Sequence, residues 1–521
     1  MVVAESEPAA RAGLEILDHG GNAIDAAVAT SLALGVTNAA SCGIGGGGFM
    51  LIYLAKTGKI YALDYREVAP SAARADMYLR DGKPDEELAR NGALAIAVPG
   101  EIAGLDAALK RFGTKKFSED AAPAIKLARD GFPLGPHMAR EVAMSAPLFA
   151  ADPAFRQVYF TAGGLPQPPG ATIYNRDLAA LIERLGDQPV ANFYHGPVAE
   201  TIAAYIKSHG GIVTAADLAG YHPVWREPLH LAYRDYEIYT MPPPSSGGVV
   251  LEILAMLSSG HLAGLGVASP PYLARLIEVM RQGFIDRAKY ADPAFVTVPI
   301  TELLSPQHIA EARGRALHPA RQAPLTAAAH DHGTSNFAVV DKDGNVVDVT
   351  TTVNTIFGAK LMVPSLGLIL NDEMDDFAVA PGVPNAFKLV GEKNNAVAPG
   401  KRPLSSMSPI IALQNGRPVL TAGGSGGPTI ISGVTQLTLN VLDFHLDPGP
   451  ALAVPRIHQQ AQPDLVFVEE SMPVKTQGQL TGMGYRLKVV PELGAVNAIR
   501  IKPGFLRGAF DQRKGGGAVG D

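Results

Sequence analysis

The sequence predicts an α+β protein in which a helix-rich part precedes a β-rich part. Its 521 residues exceed one ordinary hydrophobic core, and 47% hydrophobic with 18% charged residues is the composition of a globular protein. Amphipathic helical patterns dominate up to residue 333, and strand and turn patterns dominate afterwards. We therefore expect two or more domains, or one large unit of two intimately packed parts, a helix-rich 1–333 and a β-rich 334–521.

The individual elements follow from the spacing of apolar residues and from turn signals. Helices are predicted at residues 5–19, 22–36, 99–112, 176–185, 198–208, 248–258, 272–290 and 428–446. Strands are predicted at residues 48–54, 59–64, 465–469 and 497–501. Two hairpins are predicted within 337–350 and 409–423, the second around an Asn415-Gly416 turn.

The first hairpin begins with a Gly-Thr pair, Gly333 and Thr334, at the start of its strand. A four-residue turn would place Thr334 opposite Thr351, and a two-residue turn would place it opposite Val353. Either register puts residues 350–354, with their run of threonines, beside Thr334. Because threonine is common in strands, β-propensity alone also explains this run.

A threonine at this position can act as a nucleophile only if a base lies next to its hydroxyl. Cleavage of the peptide bond before Thr334 would supply one, the α-amine of Thr334, whose pKa of about 8 leaves a useful neutral fraction. Gly333 suits the cleaved position because glycine adopts strained backbone angles and permits close approach. The geometry permits this chemistry without requiring it.

Ten stretches spread over nearly the whole chain form a recognisable series. They are GGNAIDAAVA (20–29), GIGGGGFMLIY (43–53), LDYREVAP (63–70), AVPGEIAGL (97–105), PPPSSGG (242–248), DRAKYADP (286–293), GTSNFAVVDKDGN (333–345), LNDEMDDF (370–377), GKRPLSSMSP (400–409) and GGSGGPTIIS (423–432). In this order they resemble the γ-glutamyltransferase (γ-glutamyltranspeptidase) family of the N-terminal nucleophile hydrolases. Each stretch alone is weak, but ten in the family's order are specific.

The resemblance implies a four-layer αββα sandwich and a precursor that cuts itself between Gly333 and Thr334. Thr334 would be the catalytic nucleophile, and Thr352 the threonine that hydrogen-bonds it. The backbone of Gly426 and Gly427 would stabilise the oxyanion. A helix that begins near the following proline would expose free N–H groups there, although an ordinary glycine-rich turn is the alternative.

A γ-glutamyl substrate carries an α-carboxylate, for which the resemblance assigns Arg66 with the helpers Ser405 and Ser406. A lone arginine after a strand is also typical of a surface ion pair. The lid loop of the family corresponds to residues 378–402, where Phe387 occupies the position of a frequent lid tyrosine. An ordinary surface connection is the alternative for this segment.

The α-ammonium of the substrate would be bound by Asn354, Glu373 and Asp376. Alone, the acidic stretch around the last two also fits a Ca²⁺ or Mg²⁺ site or a solvated turn. We favour amine recognition because the stretch accompanies the other motifs and lacks a calcium-loop pattern. One departure from the family is Asn336, which stands where the family usually has histidine.

Composition and motifs exclude several other classes. A net charge of −6 gives no attraction to nucleic acid, and no apolar run reaches the length of a membrane span. The single cysteine excludes an intrachain disulfide. The glycines of GIGGGG follow a helix and precede a strand, which is the reverse of a dinucleotide fingerprint. The pair His330 and His332 has no further ligand cluster, so we expect no metal and no cofactor.

The sequence thus favours a self-processing γ-glutamyl hydrolase or transferase, whose two subunits come from one precursor and whose acceptor is water or an amine. A glutaryl-type (cephalosporin) acylase on the same scaffold and an unprocessed, non-catalytic homologue are the alternatives. The family implies a periplasmic or secreted location, although the first residues show no basic segment typical of a signal peptide. Further oligomerisation is left open.

Overall fold

The computed structural model of the protein describes residues 1–317, 333–380, 382–383, 385, 387–389 and 391–520, so the pair at 330 and 332 lies outside the described residues. The helices of the first part are α1 (Glu7–Asp18), α2 (Ala23–Thr37), α3 (Glu86–Arg90), α4 (Glu101–Phe112), α5 (Phe117–Asp130), α6 (Pro136–Phe149), α7 (Pro153–Tyr159), α8 (Arg176–Leu185), α9 (Pro189–Tyr194), α10 (Gly196–Ser208), α11 (Ala215–Ala219), α12 (Gly247–Leu257), α13 (Pro270–Arg287), α14 (Ile300–Leu303) and α15 (Pro306–Leu317). The helices after residue 333 are α16 (Thr429–Leu442), α17 (Pro448–Ala453) and α18 (Val474–Gly482).

Two antiparallel sheets form the centre of the protein. Their strands are β1 (Val2–Ala4), β2 (Gly47–Leu54), β3 (Lys59–Tyr65), β4 (Val224–Arg226), β5 (Leu229–Tyr233), β6 (Tyr236–Thr240), β7 (Thr334–Val340), β8 (Val346–Thr352), β9 (Ile410–Gln414), β10 (Arg417–Ser425), β11 (Ala495–Lys502), β12 (Phe505–Ala509) and β13 (Gly517–Val519). The first sheet has the order β13-β1-β7-β8-β2-β3-β4, and the second has the order β12-β11-β10-β9-β6-β5.

Each sheet combines strands from both sides of residue 333. In the first sheet, β7 lies between β1 and β8, and β8 pairs in turn with β2. In the second sheet, β9 pairs with β6 of the earlier part. The helix-rich and β-rich parts therefore share their sheets, and neither part completes a sheet without the other.

The alternation of side chains in the first sheet creates two buried faces. Met50 and Val339 pack in a core with α1, α2, α4 and α5, whereas Phe49 and Ala338, one residue away, pack in a second core with the other sheet, α12 and α16. The order is therefore helices, sheet, sheet, helices. The expected four-layer αββα sandwich is confirmed.

The glycine-rich turn between α2 and β2 allows backbones to pass at close range. A Cβ atom added to Gly46 would lie 1.9 Å from the carbonyl oxygen of Thr352, and one added to Gly48 would lie 2.4 Å from that of Thr350. Only glycine fits at such distances. The run thus positions the end of β8, where the predicted site begins.

All eight predicted helices are present, with ends shifted by a few residues. The largest shift is at α16, which ends at Leu442 rather than at residue 446, because His445 adopts a left-handed φ of +57° that a helix cannot continue. The pattern missed α5 and α6, each of which contains an internal proline. It also missed six of the thirteen strands, each only three to five residues long: β1, β4, β5, β6, β12 and β13.

Candidate active site

The hairpin of β7 and β8 pairs Thr334 directly with Thr352, so both predicted registers are wrong. The connection is a three-residue loop in which Gly344 has a left-handed φ of +85°, and the N–H of Asp341 donates to the carbonyl of Asn345. The Asp341 carboxylate closes the loop by accepting from the backbone N–H of Asn345 at 2.9 Å. Because the loop has three residues, Thr334 pairs with Thr352 rather than with Thr351 or Val353. The two threonine side chains therefore lie opposite each other on one face of the sheet.

The two threonine hydroxyls form one hydrogen-bonded unit. Thr334 Oγ1 lies 3.1 Å from Thr352 Oγ1, and the Thr352 hydroxyl donates to the carbonyl oxygen of Gly333 at 3.1 Å. Thr352 Oγ1 also accepts from the N–H of Asn354 at 2.8 Å. A hydroxyl has one proton. Since Thr352 gives its proton to Gly333, Thr334 must be the donor between the two threonines.

Gly333 could not be another residue in this conformation. An added Cβ atom would lie 2.3 Å from the carbonyl oxygen of Asn354 and 2.4 Å from the backbone of Thr355. The bond between Gly333 and Thr334 is therefore held tightly against the turn that follows β8. Its carbonyl oxygen points at the Thr352 hydroxyl.

Gly426 and Gly427 lie between the end of β10 and the start of α16, as predicted. Their φ angles are +120° and +57°, and neither N–H donates a hydrogen bond to any residue that the structure describes. These free N–H groups stand at the N-terminus of a fourteen-residue helix, where the helix dipole favours an anion. Phe387 covers Gly427, because an added Cβ atom there would lie 2.7 Å from its ring.

Arg66 follows β3 and is fully buried among carboxylates, so the surface ion pair is excluded. Its guanidinium forms ion pairs with Glu373 and Asp376, lies 3.6 Å from Glu67, and donates to the carbonyl of Pro403 at 3.2 Å. Burial alone would lower the pKa of Arg66, but the surrounding carboxylates raise it above its ordinary value. The residues predicted for the two opposite charges of a substrate thus contact each other directly.

The acids of this cluster resist ionisation. Burial raises the pKa of both Glu373 and Asp376, although Arg66 opposes the effect. Burial also raises the pKa of Glu67 to about 8, again against the effect of Arg66. A positive charge placed among these three acids would favour their ionised forms, and the protonated amine of a substrate carries such a charge.

Most of the predicted residues line a single small cavity. Its lining consists of Arg66, Thr334, Thr352, Asn354, Glu373, Asp376, Phe387, Ser405, Ser406, Met407, Gly427 and Ile430. Gly333 and Gly426 lie next to members of this set but do not line the cavity. The volume of about 10 Å³ is roughly that needed by one water, so a larger ligand requires movement of the lining.

Two serines of the cavity are fixed from behind by residues that the sequence analysis missed. The hydroxyl of Ser246 donates to the carbonyl of Ser405 at 2.5 Å, and Arg287 donates to the hydroxyl of Ser406 at 3.2 Å. Burial lowers the pKa of Arg287 to about 10, while nearby Asp376 raises it. Both supporting residues lie in the family-like stretches 242–248 and 286–293, which were the only available signal.

Lys514 is a third residue near the site, beside Thr334, that sequence reasoning missed. Its buried ammonium donates to the carbonyl oxygen of Thr334, pairs with Glu5 at 2.9 Å and lies 3.4 Å from the hydroxyl of Ser425. It thus connects β7 to the end of β10, the strand that leads to the glycine pair. A lysine in a glycine-rich tail carries no pattern that predicts this contact.

Asn336 lies two residues along β7 from Thr334 and belongs to a hydrogen-bonded group that reaches the second sheet. Its amide donates to Asp348 Oδ1 and to the carbonyl of Val349, both at 2.8 Å, and Asp348 Oδ2 accepts from the Thr421 hydroxyl at 2.7 Å. Burial raises the pKa of Asp348 to about 7, although these two hydrogen bonds lower it. The Asp348 carboxylate, which accepts from Asn336, therefore lies close to the site, and its pKa is near neutrality.

We expect an Asp348→Asn variant to gain thermal stability relative to the wild type as pH rises from about 4 to 7. Because the folded pKa of Asp348 lies above its unfolded value of about 4, folding retains a proton that the unfolded chain releases. Wild-type stability is therefore lost through this window, and asparagine cannot ionise. Melting temperatures of both proteins at pH 4.5, 6 and 7.5 measure the difference. Asp343→Asn, an exposed change on the same hairpin, is the control, and parallel curves for Asp348→Asn would contradict the assignment.

Comparison with known proteins agrees with this architecture. The family model described as Gamma-glutamyltranspeptidase matches residues 9–521. A protein of Escherichia coli (strain K12) named Glutathione hydrolase proenzyme is 38% identical, with 98% of this chain and 90% of the relative covered. A Pseudomonas aeruginosa protein of the same name is 40% identical, with 98% and 93% covered.

Solved structures give the same relationship. The cephalosporin acylase from Bacillus halodurans superposes with a TM-score of 0.87 at 28% identity, covering 99% of this chain and 94% of that one. With both the family model and full-length relatives matching, this chain belongs to the gamma-glutamyltranspeptidase family.

Proposed function

We propose that the protein is a self-processing γ-glutamyl hydrolase and transferase that cleaves glutathione or related γ-glutamyl amides through a threonyl acyl-enzyme. The observation that carries the proposal is the direct pairing of Thr334 with Thr352 in a cavity that also holds Arg66. Membership of the family, with relatives named glutathione hydrolase proenzyme, supports the same activity.

Self-processing follows from the hydrogen bonds around the Gly333–Thr334 bond. The Thr352 hydroxyl donates to the Gly333 carbonyl and so polarises that carbonyl. The Thr352 oxygen in turn accepts a hydrogen bond from the Thr334 hydroxyl. Attack of Thr334 Oγ1 on that carbonyl carbon would replace the amide by an ester, and water would hydrolyse the ester. The products are a large subunit, 1–333, and a small subunit, 334–521, that remain joined through their shared sheets.

Turnover then uses the new α-amine of Thr334 as the base. The Thr334 oxygen attacks the γ-carbonyl carbon of the substrate, its proton passes through the amine to the leaving nitrogen, and an ester to the γ-glutamyl group remains. Water or an acceptor amine attacks this ester and restores the hydroxyl. The free N–H groups at Gly426 and Gly427 would stabilise the oxyanion in both steps.

The charges of the cavity fit a γ-glutamyl group. Its α-carboxylate would bind Arg66 with help from Ser405 and Ser406, and its α-ammonium would bind Glu373 and Asp376. The free site already pairs these groups with one another, so the zwitterion would exchange partners without leaving a buried charge unpaired. Asn354 would add a polar contact for the ammonium.

The cavity must open for this exchange, and Phe387 is the side chain that covers Gly427. We infer a small-molecule substrate and a lid that moves during entry. No helix among the described residues is long and apolar enough to cross a bilayer. A periplasmic or secreted location, as implied by the family, remains part of this proposal.

A glutaryl-type acylase is the second candidate, favoured by the close superposition on a cephalosporin acylase. A glutaryl group has the same terminal carboxylate but lacks the ammonium, so Glu373 and Asp376 would have no partner in it. Release of aniline from γ-glutamyl and glutaryl anilides separates the two. Hydrolysis of the glutaryl compound alone would refute the γ-glutamyl proposal.

Processing is tested by a denaturing gel of the purified protein after long incubation. Two fragments, the smaller beginning Thr-Ser-Asn-Phe, are the expected result. A single full-length band without activity would support the unprocessed, non-catalytic homologue instead.

An Asp376→Ala variant is expected to raise KM for γ-glutamyl donors by about 10- to 100-fold and to spare processing. A hydrogen bond to a charged group is worth about 1.5–3 kcal/mol, and the variant removes one from the ammonium site. Steady-state kinetics with a γ-glutamyl anilide and a gel give the two readouts. Glu392→Gln, an exposed acid outside the cavity lining, is the control; an unchanged KM in Asp376→Ala would remove its assigned role.

A further inference from the structure

Three buried side chains on different helices meet away from the proposed active-site cavity. They are Glu252 on α12, Asp286 on α13 and His308 on α15, and each is more than nine-tenths buried. Each can present one ligand atom, and these atoms all lie within 4.8 Å of one another. None of the three has a part in the chemistry proposed for Thr334.

Two of the three separations between the ligand atoms are close to the edge of a coordination tetrahedron, and the third is within 4.8 Å. His308 Nε2 lies 3.2 Å from Asp286 Oδ2 and 3.6 Å from Glu252 Oε1. Zinc bonds to nitrogen and oxygen of about 2.0–2.2 Å place tetrahedral ligands about 3.3–3.6 Å apart. These two separations match this edge length without movement of the helices.

Glu252 supplies an independent observation that points to a ligand. Its side chain is 0% exposed, and neither carboxylate oxygen accepts from an N–H or hydroxyl group among the described residues; its hydrogen-bonding neighbour is the Asp286 carboxylate, another acid. Leaving a buried carboxylate without a donor or cation is costly. Since Oε1 faces the His308 ring, the unpartnered group is aimed into the cluster.

The two neighbouring cations form ion pairs with Asp286 and, among the described residues, none with Glu252, although both lower the pKa of Glu252 against the effect of burial. Lys289 pairs with the other oxygen of Asp286, Oδ1, at 2.6 Å, and Arg315 approaches Oδ2 at 3.7 Å. Gln282 donates at 2.7 Å to Oδ2, the proposed ligand atom, whose other lone pair is left for the metal. Such outer contacts are typical of the groups that orient a metal ligand.

We propose that Glu252, Asp286 and His308 bind a divalent zinc ion, with water in the fourth position. One imidazole and two carboxylates are a donor set suited to Zn²⁺, whereas Ca²⁺ requires six to eight oxygens. The ion would tie α12, α13 and α15 together. It would also stand one residue from Arg287, which supports Ser406 of the cavity, so its main effect is on stability and on the shape of that wall.

Zinc binding by the full-length protein tests the proposal independently of γ-glutamyl turnover. After treatment with EDTA and dialysis, the protein is titrated with Zn²⁺ alone, and bound metal per chain and melting temperature are measured. One zinc per chain and a higher melting temperature are expected. Glu252→Gln, which keeps the side-chain volume, should weaken zinc binding by at least about 100-fold. Loss of a residue that only supports a metal ligand already weakens metal affinity by up to about 100-fold, and Glu252 would be a ligand itself.

Two further variants make the result decisive. His308→Gln should lose zinc in the same way and replaces Glu252→Gln if that protein does not fold. His230→Gln alters an exposed histidine that pairs with Glu237 at 2.9 Å, and it should bind zinc like the wild type. Absence of bound zinc in the wild type, or zinc binding as tight as the wild type's by both cluster variants, would overturn the proposal and leave Glu252 and Asp286 sharing a proton.

Discussion

A Thr334→Ala variant is expected to stay a single polypeptide and to lose γ-glutamyl hydrolysis by about 10⁴-fold or more. The substitution removes the hydroxyl proposed to attack first the Gly333 carbonyl and then the substrate. It also removes one hydrogen bond to Thr352, at 3.1 Å, but leaves Thr352 bonded to Gly333 and Asn354, so the fold should survive. A denaturing gel and an anilide assay measure both losses in one preparation.

The neighbouring hydroxyl provides a matched control. Ser335 lies on the opposite face of β7, where its side chain accepts from the Asn38 amide at 2.8 Å. Ser335→Ala should therefore cost stability of about 1–3 kcal/mol while leaving processing and turnover intact. Thr334→Ser keeps a hydroxyl and should still be processed. Recovery of a fragment that begins at residue 334 from Thr334→Ala would contradict the whole mechanism.

The sequence was informative about the site where function depends on a local motif. A Gly-Thr pair before a hairpin, and threonines near residue 352, predict that the hydroxyls meet, and they do. The register itself could not be read, because the Asp341 carboxylate decides the loop length and a side-chain hydrogen bond leaves no periodic signal. An error of one residue in the loop would have turned Thr352 to the other face.

Long-range contacts were beyond the reach of pattern reasoning. Residues 66 and 373 belong to stretches three hundred positions apart, and nothing in either stretch predicts that Arg66 and Glu373 form a buried pair. The same holds for Lys514 against Thr334. The strands β5 and β6 were missed because each has only five residues, although they complete the sheet that carries the glycine pair.

The buried pairing of Arg66 makes the second large prediction. An Arg66→Gln variant is expected to lower kcat/KM for γ-glutamyl donors by about 10²–10³-fold, because truncating one partner of a buried charge pair costs about 2–5 kcal/mol. It should also destabilise the protein by about 3–5 kcal/mol, since Glu373 and Asp376 lose their cation. Both effects come from one guanidinium, so stability and binding must be measured separately.

The pH dependence of stability distinguishes the charge effect from a packing defect. Burial already raises the pKa of Glu373 and Asp376, and loss of the arginine raises both further. For acids whose folded pKa lies above the unfolded value, stability falls as pH rises through that interval. The melting temperature of Arg66→Gln should therefore fall more steeply than that of the wild type as pH rises above about 4, the ordinary pKa of a carboxyl group. Arg74→Gln, which alters an exposed arginine paired with the exposed Asp76, is the control.

The binding role of Arg66 is tested by changing the substrate as well as the protein. For the wild type, replacing a γ-glutamyl anilide by a 4-aminobutyryl anilide removes the α-carboxylate and should reduce kcat/KM strongly. In Arg66→Gln that carboxylate has no cation to bind, so removing it should cost little further activity. The same loss in both proteins would mean that Arg66 holds the acids of the site without contacting the substrate. The free enzyme, in which Arg66 pairs with Glu373 and Asp376, would then already show its only role.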